Sequence, residues 1–128
     1  MKTLKVAVTG SRNYYDYETI SLVLDNINSR EPITAIITGG ADGADSLAEH
    51  WAKINDIEVI TFHAEWFKYG KNAGPIRNTL IAKECDILVA FPLENSRGTI
   101  DCIKKANIEG KPYLVIDYKD KYKKKLKE

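Results

Sequence analysis

Ile36–Asp45 reads IITGGADGAD and changes character halfway along its length. Its first residues are apolar and β-branched, which favours a short strand, and the glycines that follow break the strand into a loop. A helical pattern begins directly behind the loop. A parallel α/β sheet builds a site for a nucleotide phosphate in this way, because backbone N–H groups at the start of the helix point at the anion.

Two other stretches of the chain have similar features. Val6–Asn13 reads VAVTGSRN, and Ile87–Thr99 reads ILVAFPLENSRGT and leads directly into a helical pattern. The segment GPIRN, Gly74–Asn78, lies between them. One such loop is weak evidence for a phosphate site, whereas several in one small chain predict it much more strongly.

Strand and helix patterns alternate along the chain, apart from His63–Asn72, which lacks clear periodicity. Five strands that alternate with four helices predict right-handed βαβ units and a parallel sheet covered on both faces. We therefore expect a single α/β domain, residues 1–118, with a Rossmann-like three-layer architecture and strand order 3-2-1-4-5. The predicted strands are Leu4–Thr9, Thr34–Thr38, Glu58–Phe62, Ile87–Phe91 and Tyr113–Ile116, and the predicted helices are Tyr17–Asn28, Ala44–Ile54, Ala73–Glu84 and Thr99–Ile108.

This strand order reverses between the first and fourth strands, and ligands bind at the carboxyl edge of such sheets near the reversal. The first strand runs into Gly10, Ser11 and Arg12, and the fourth runs into Pro92. We therefore expect these four residues to belong to one ligand site together with the glycine loop.

Gly39 and Gly40 let a ligand approach the backbone, because glycine has no side chain and reaches positive φ easily. The loop spacing matches neither the dinucleotide fingerprint nor the Walker loop. Two aspartates repel phosphate, so we expect Asp42 or Asp45 to face ribose hydroxyls. The alternative is a tight turn with Asp42 as the N-cap of the next helix and Asp45 in its first turn.

Ser96, Arg97, Gly98 and Thr99 lie just before a predicted helix. Their N–H groups, the Thr99 hydroxyl and the Arg97 charge suit a phosphate. The alternative is a capped helix start with a solvated arginine.

Arg77 lies beside Asn78 in what we expect to be the first turn of a helix, where a positive charge opposes the helix dipole. A ligand phosphate or a fixed carboxylate would explain it, and chance surface placement is the alternative. Trp66 lies with Phe67 and Tyr69 in the aperiodic segment. These aromatic residues either stack on a base, with Trp66 as the candidate, or cover the edge of the sheet.

Composition bounds the class of protein. With 128 residues, 44% of them hydrophobic, the chain is long enough for one domain with a real core. No apolar stretch approaches about 18 residues and no secretory signal is recognisable, so we expect a cytoplasmic protein without a membrane partner. Cys85 and Cys102 lie in apolar helical patterns and are expected to be buried thiols. The histidines show no ligand spacing with them, so we expect no metal and no cofactor.

The net charge of +1 hides an uneven distribution. Residues 117–128 hold six lysines and three acids, which leaves 13 basic and 15 acidic residues in the rest of the chain. An acidic body is a poor platform for nucleic acid, so we do not expect a nucleic-acid partner. Residues 119–128 are most simply a solvated lysine-rich tail, and a weak contact with RNA or DNA is the alternative.

Taken together, TGSR, GGADGADSLAEHWA, AEWFKYGKNAGPIRN, DILVAFP and SRGTID resemble the motifs of the SLOG superfamily of Rossmann-like proteins, and more closely those of its small YspA-like branch. The superfamily includes the Lonely Guy phosphoribohydrolases, which cleave the N-glycosidic bond of nucleoside monophosphates, and the DNA-processing protein DprA. The resemblance implies a nucleotide-derived ligand, such as ADP-ribose, NAD or a nucleoside monophosphate, at the carboxyl edge of the sheet. The oligomeric state stays open, with a homo-oligomer as one alternative, because related parallel-sheet domains often dimerise through helices.

Within this resemblance, Arg77 matches the helix arginine of the Lonely Guy enzymes, and Gly98 and Thr99 match their GT pair. The position of their glutamate, three residues after the threonine, holds Cys102. The neighbouring Asp101 is therefore the candidate catalytic residue, because cleavage builds positive charge on the ribose that a carboxylate stabilises.

Asp45 and Glu94 are the other candidate carboxylates, and no second carboxylate is clearly paired for acid–base work. We therefore expect a protein that binds its ligand in order to sense or sequester it. Hydrolysis by a nucleotide phosphoribohydrolase is the first alternative, and a DprA-like nucleic-acid module is the second.

Overall fold

The computed structural model describes residues 3–93 and 96–116 of the chain. They form a sheet of five parallel strands in the order β3-β2-β1-β4-β5. The predicted α/β architecture and strand order are therefore confirmed. The strands are β1 (Leu4–Gly10), β2 (Ile33–Thr38), β3 (Glu58–Thr61), β4 (Ile87–Phe91) and β5 (Tyr113–Val115), and the helices are α1 (Tyr17–Arg30), α2 (Ala44–Ile54), α3 (Trp66–Tyr69), α4 (Ala73–Glu84) and α5 (Arg97–Ile108).

The side chains of the central strands alternate between two hydrophobic cores, one on each face of the sheet. Val6 and Val8 of β1 pack with α1 and α2 in a core that contains the buried Trp51. Ala7 of the same strand and Ile37 of β2 pack with α4 and α5 on the opposite face. The central strands are continuous apolar runs because both of their faces are buried.

The structure differs from the prediction in two respects that matter for the site, namely where α5 begins and which turn of α4 holds Arg77. Helix α5 begins at Arg97, so Arg97 and Gly98 lie inside its first turn rather than before it. Helix α4 begins at Ala73, so the prediction that Arg77 lies in a first turn is wrong; it lies in the second turn. Pro75 is the third residue of α4 rather than the first. Proline fits there because the N–H groups of a first turn have no partner within the helix.

The segment His63–Asn72 contains α3 and a 3₁₀ turn, Gly70–Asn72, that leads into α4. Periodicity could not reveal α3, because a single turn is too short to display a 3.6-residue repeat. Cys85 and Cys102 are buried and free, as predicted. No helix within the described ranges is long and apolar enough to cross a membrane. Glu94 and the lysine-rich residues 119–128 lie outside the described residues.

The backbone of Ser11 holds the loop after β1 against two other elements. Its N–H donates to the carbonyl of Phe91 at the end of β4, and its carbonyl accepts from the N–H groups of Tyr14 and Ala44, each at 3.2 Å. Gly43 permits the contact with α2, because it has φ 75° and a Cβ there would overlap with the Ser11 carbonyl. Only glycine fits this position without displacing the loop.

We expect Gly43→Ala to lower the free energy of unfolding by about 2–5 kcal/mol, because positive φ and steric overlap with the backbone act together. Gly110→Ala is the matched control. Gly110 also has positive φ (69°), but apart from its own neighbours in the chain no described residue lies within 4 Å of the place that its Cβ would take. The control is expected to lose about 1–2 kcal/mol. Urea unfolding of both variants measures the difference, and equal losses would contradict the proposed contact with Ser11.

Candidate functional site

A cavity of about 510 Å³ opens at the carboxyl edge of the sheet, where the strand order reverses between β1 and β4. Its volume lies in the range of sites for small molecules. The loops after β1 and β2, the helix α4 and the start of α5 line it. The predicted site residues that line the cavity are Gly10, Ser11, Arg12, Gly39, Asp45, Arg77, Asn78, Ser96, Arg97, Gly98 and Thr99.

The remaining predicted site residues are not among the described residues that line the cavity. Gly40 faces His63 and Thr61 with φ 74°, and Asp42 is exposed. The alternative role of Asp42 as an N-cap is wrong, because Gly43 occupies that position and no side chain caps α2. The other residues outside the lining are Pro92, Trp66 and Asp101.

Val8, Asn13 and Ile81 line the cavity although sequence reasoning did not select them. Ile81 lies one helical turn after Arg77, and residues four apart share a face of a helix. This spacing could have identified Ile81. No comparable signal marks Val8, because its inward orientation depends on how β1 pairs with both of its neighbours.

The first turn of α5 presents backbone N–H groups to the cavity. The N-cap is Ser96, and its side chain makes no capping hydrogen bond. Its hydroxyl instead donates to the carbonyl of Leu93 at 2.8 Å and accepts from the N–H of Leu93 at 3.0 Å. The first N–H groups of a helix have no partner within the helix, so here they can bind an anion. Arg97 is exposed at the same turn and adds a positive charge.

Arg77 connects α4 to the loop after β2. Its Nη1 donates to the carbonyl of Gly39 at 3.0 Å, and its Nε donates to Oδ1 of Asn78 at 2.9 Å. A Cβ at Gly39 would overlap with the Arg77 guanidinium. These bonds use two of the five N–H groups of arginine. Arg77 therefore holds the glycine loop and can still donate to a ligand.

Asp45 is a buried carboxylate in the wall of the cavity. Its Oδ2 accepts hydrogen bonds from the N–H groups of Gly39 at 3.0 Å and Ala41 at 3.3 Å, which stabilises the glycine loop. Burial raises the pKa of Asp45 to about 6, although these two bonds and the charge of Arg77 act in the opposite direction. Because both bonds end on Oδ2, Oδ1 can accept a hydrogen bond from a ligand.

Asp101 is held outside the cavity lining by two neighbours. Its Oδ2 accepts from Nδ2 of Asn78 at 2.9 Å, and its Oδ1 lies 3.5 Å from Nζ of Lys105. Cys102 is buried between α5 and the sheet, and burial raises the pKa of its thiol to about 12. This arrangement leaves Cys102 neutral at physiological pH and commits Asp101 to contacts within the protein.

The charged residues that line the described part of the cavity are three arginines, Arg12, Arg77 and Arg97, and one acid, Asp45. This excess of positive charge favours an anionic ligand. Among residues 3–93 and 96–116, no group of histidine, cysteine, aspartate or glutamate side chains is arranged to hold a metal ion.

Comparison of the sequence with known proteins identifies relatives over most of the chain. The sequence model of the YspA, cpYpsA-related SLOG family matches residues 4–69. Gene 61 protein of Mycobacterium phage D29 is 35% identical over 124 residues, which cover 91% of this chain and 98% of the phage protein.

Comparison of the structure finds similar solved proteins. DNA processing protein A (DprA) from Streptococcus pneumoniae has a TM-score of 0.72 and 21% identity, over 88% of this chain and 50% of that one. DNA processing protein A from Helicobacter pylori, whose structure is described for its single-stranded DNA binding mode, has a TM-score of 0.66 and 20% identity, over 88% of this chain and 64% of that one. The chain thus spans half to just under two thirds of these proteins, and at such identities the likeness shows the fold alone.

The raised pKa of Asp45 predicts a pH-dependent stability. Because the folded state binds the proton more tightly than the unfolded state, the contribution of Asp45 is fully present below its ordinary pKa of 3.8 and is lost as the pH rises to about 6. The free energy of unfolding of the wild type relative to Asp45→Asn should therefore fall by about 3 kcal/mol across this window.

Urea unfolding at several pH values between 3.5 and 7 (about half-unit steps) measures this difference. Asp42→Asn, which removes an exposed carboxylate from the same loop, controls for the loss of one negative charge. A difference between wild type and Asp45→Asn that does not vary with pH would show that burial does not perturb Asp45.

Proposed function

Because this chain belongs to the YspA, cpYpsA-related SLOG family, we propose that it binds a phosphorylated ribose in the cavity at the carboxyl edge of its sheet. The ligand is a nucleotide or nucleotide derivative, such as a nucleoside monophosphate, ADP-ribose or NAD, which the protein senses or sequesters. The observation that carries this proposal is the uncapped start of α5 beside Arg12, Arg77 and Arg97 in one cavity.

The start of α5 suits the phosphate. The N–H groups of Arg97, Gly98 and Thr99 belong to a first helical turn, where the helix dipole also favours a negative charge. Gly98 has no side chain to obstruct the approach of an oxygen atom to the backbone. Arg97 is exposed, so its guanidinium can fold over a bound phosphate and donate two parallel hydrogen bonds.

The part of the cavity wall formed by Gly39 and Asp45 suits the ribose. A sugar hydroxyl is a hydrogen-bond donor, and Oδ1 of Asp45 is an acceptor that is already oriented by the two bonds to Oδ2. With a pKa of about 6, Asp45 is mostly ionised at pH 7 and accepts such a bond well. Arg77 holds the backbone of Gly39 beside it, so the ribose side of the cavity is ordered before the ligand arrives.

The base extends out of the cavity in this arrangement. Trp66 is the base-stacking candidate, and its ring lies 3.6 Å from the place that a Cβ of Gly74 would take. Gly74 is one helical turn before Arg77 and Asn78, a rise of about 5 Å. A base that leaves the cavity along α4 would therefore reach Trp66.

Hydrolysis of the ligand is the less favoured alternative. Asp101 is engaged by Asn78 and Lys105, and Cys102 is a neutral buried thiol where the related hydrolases have a glutamate. Neither group offers a free negative charge to the ribose. Nucleic acid is a second candidate partner, although the charge of the sequence argued against it. The H. pylori protein, which has a similar fold, is described for its single-stranded DNA binding mode.

The first test is isothermal calorimetry of the full chain with AMP, ADP-ribose and NAD. We expect binding of at least one of them, and Arg97→Ala should weaken it by about 10- to 150-fold, the range for a hydrogen bond to a charged group. The thermal stability of Arg97→Ala should not change, because the side chain is exposed. Arg30→Ala removes an exposed arginine from the last turn of α1 and is the matched control.

The second test separates a binding protein from an enzyme. We expect no chromatographically detectable release of free base from nucleoside monophosphates incubated with the wild type, because Asp101, the carboxylate beside the position of the hydrolase glutamate, is engaged by Asn78 and Lys105. Steady base release that Asp101→Asn abolishes, with unchanged ligand affinity, would make the phosphoribohydrolase function the leading one.

A further inference from the structure

The helix α3 exposes its aromatic side chains to solvent. Phe67 is fully exposed, Trp66 is 56% exposed and Tyr69 is 36% exposed. Three neighbouring exposed aromatic side chains form a contiguous apolar surface, and such surfaces mark interaction sites. The alternative considered from sequence, in which these residues cover the edge of the sheet, does not fit Phe67, since its ring is not packed against the domain.

The same turn carries positive charge. Lys68 and Lys71 are exposed, and Nζ of Lys68 lies 5.1 Å from the centre of the Tyr69 ring. Glu65 is the acidic residue of the adjoining loop, so the segment Glu65–Asn72 has a net charge of +1. Residues 1–116 together have a net charge of −2, so the turn is a locally basic surface on an acidic body.

The turn lies at the same edge of the sheet as the cavity. It follows β3 in the chain and leads directly into α4, the helix that contributes Arg77 and Asn78 to the cavity wall. A chain of nucleotides that passes the mouth of the cavity can therefore continue along α3. We call Trp66, Phe67, Lys68, Tyr69 and Lys71 the aromatic–lysine turn.

We propose that the aromatic–lysine turn binds single-stranded nucleic acid by stacking unpaired bases on Trp66 and Phe67 while Lys68 and Lys71 neutralise the adjacent phosphates. Aromatic faces and basic groups in alternation are the chemistry that recognises unpaired nucleotides. We favour single-stranded nucleic acid over a protein partner because it uses the aromatic faces and the basic groups in a single mode of binding. The proposal does not rest on the phosphorylated ribose in the cavity: it shares Trp66 with that ligand, but Phe67, Lys68, Tyr69 and Lys71 neither line the cavity nor take part in the proposed ligand site.

The test is fluorescence anisotropy of labelled oligo(dT) and oligo(U), each of about 20 nucleotides, with the full chain. We expect Phe67→Ala and Trp66→Ala each to weaken binding by about 5- to 150-fold, the range for loss of one stacked base. Lys68→Glu with Lys71→Glu should weaken it further and reduce its dependence on salt. The controls are Ile108→Ala, which removes an exposed apolar side chain at the far end of α5, and Lys53→Glu at the end of α2.

Stacking also has a spectroscopic signature. The chain has two tryptophans, and Trp51 is buried and bonded to Asp25, so quenching by the oligonucleotide reports on Trp66. Heparin supplies charge without bases, and the lysines of residues 119–128 attract it equally in every variant. We expect the oligonucleotides to quench the fluorescence and heparin not to. Three results would each overturn the proposal: unchanged affinity in Phe67→Ala and Trp66→Ala, equal quenching by heparin, or no binding at about 100 µM protein in low salt. If binding occurs as expected, the ratio of the affinities for the two oligonucleotides shows whether DNA or RNA is preferred.

Discussion

The close approach of α2 to the backbone of Ser11 is the constraint on which the site depends. The carbonyl of Ser11 accepts a hydrogen bond from the N–H of Ala44 in α2, and the N–H of Ser11 donates to the carbonyl of Phe91 in β4, so β1, β4 and α2 are held together at the carboxyl edge. The absence of a side chain at Gly43 is what allows this approach. Because the loop after β1 is anchored to both β4 and α2, it does not fold over the place where the strand order reverses. A cavity therefore remains there.

The wall of the cavity uses the same groups for the stability of the loop and for the proposed binding of a ligand. Asp45 satisfies two backbone N–H groups of a loop that has no regular structure, and it does so from a buried position that disfavours its charge. Arg77 offsets part of this cost through its own charge and holds the carbonyl of Gly39. The groups that order the glycine loop are therefore the groups that a ligand in the cavity would contact. A substitution of one of them changes both the stability of the loop and the site.

The sequence predicted the parts of the site that depend on short-range patterns. Glycine-containing loops behind apolar strands placed Gly39, Ser11 and Gly98 at one edge of the sheet, because a parallel arrangement brings all strand ends of one kind to the same side. It misplaced the residues whose role depends on where a helix begins or what a neighbour offers. Asp42 is a residue type that often caps helices, but the approach of α2 to the loop after β1 requires glycine at the N-cap. The helix α3 was not predicted because it is too short to display a helical repeat.

The alternation of apolar strands and helices allows more than one strand order, and the pairing of the strands confirms the Rossmann-like order that we chose. The alternation by itself determined the parallel α/β architecture and the edge at which the loops meet, since these follow from the handedness of βαβ units and from the burial of both sheet faces. Only the tertiary structure decided which polar groups remain available there. Arg77 is shared between a loop carbonyl and the cavity, Asp101 is withdrawn from the cavity by Asn78, and Phe67 is left in solvent. The physical reason is that hydrogen bonds and burial depend on distances between segments far apart in the chain, and no local pattern records those distances.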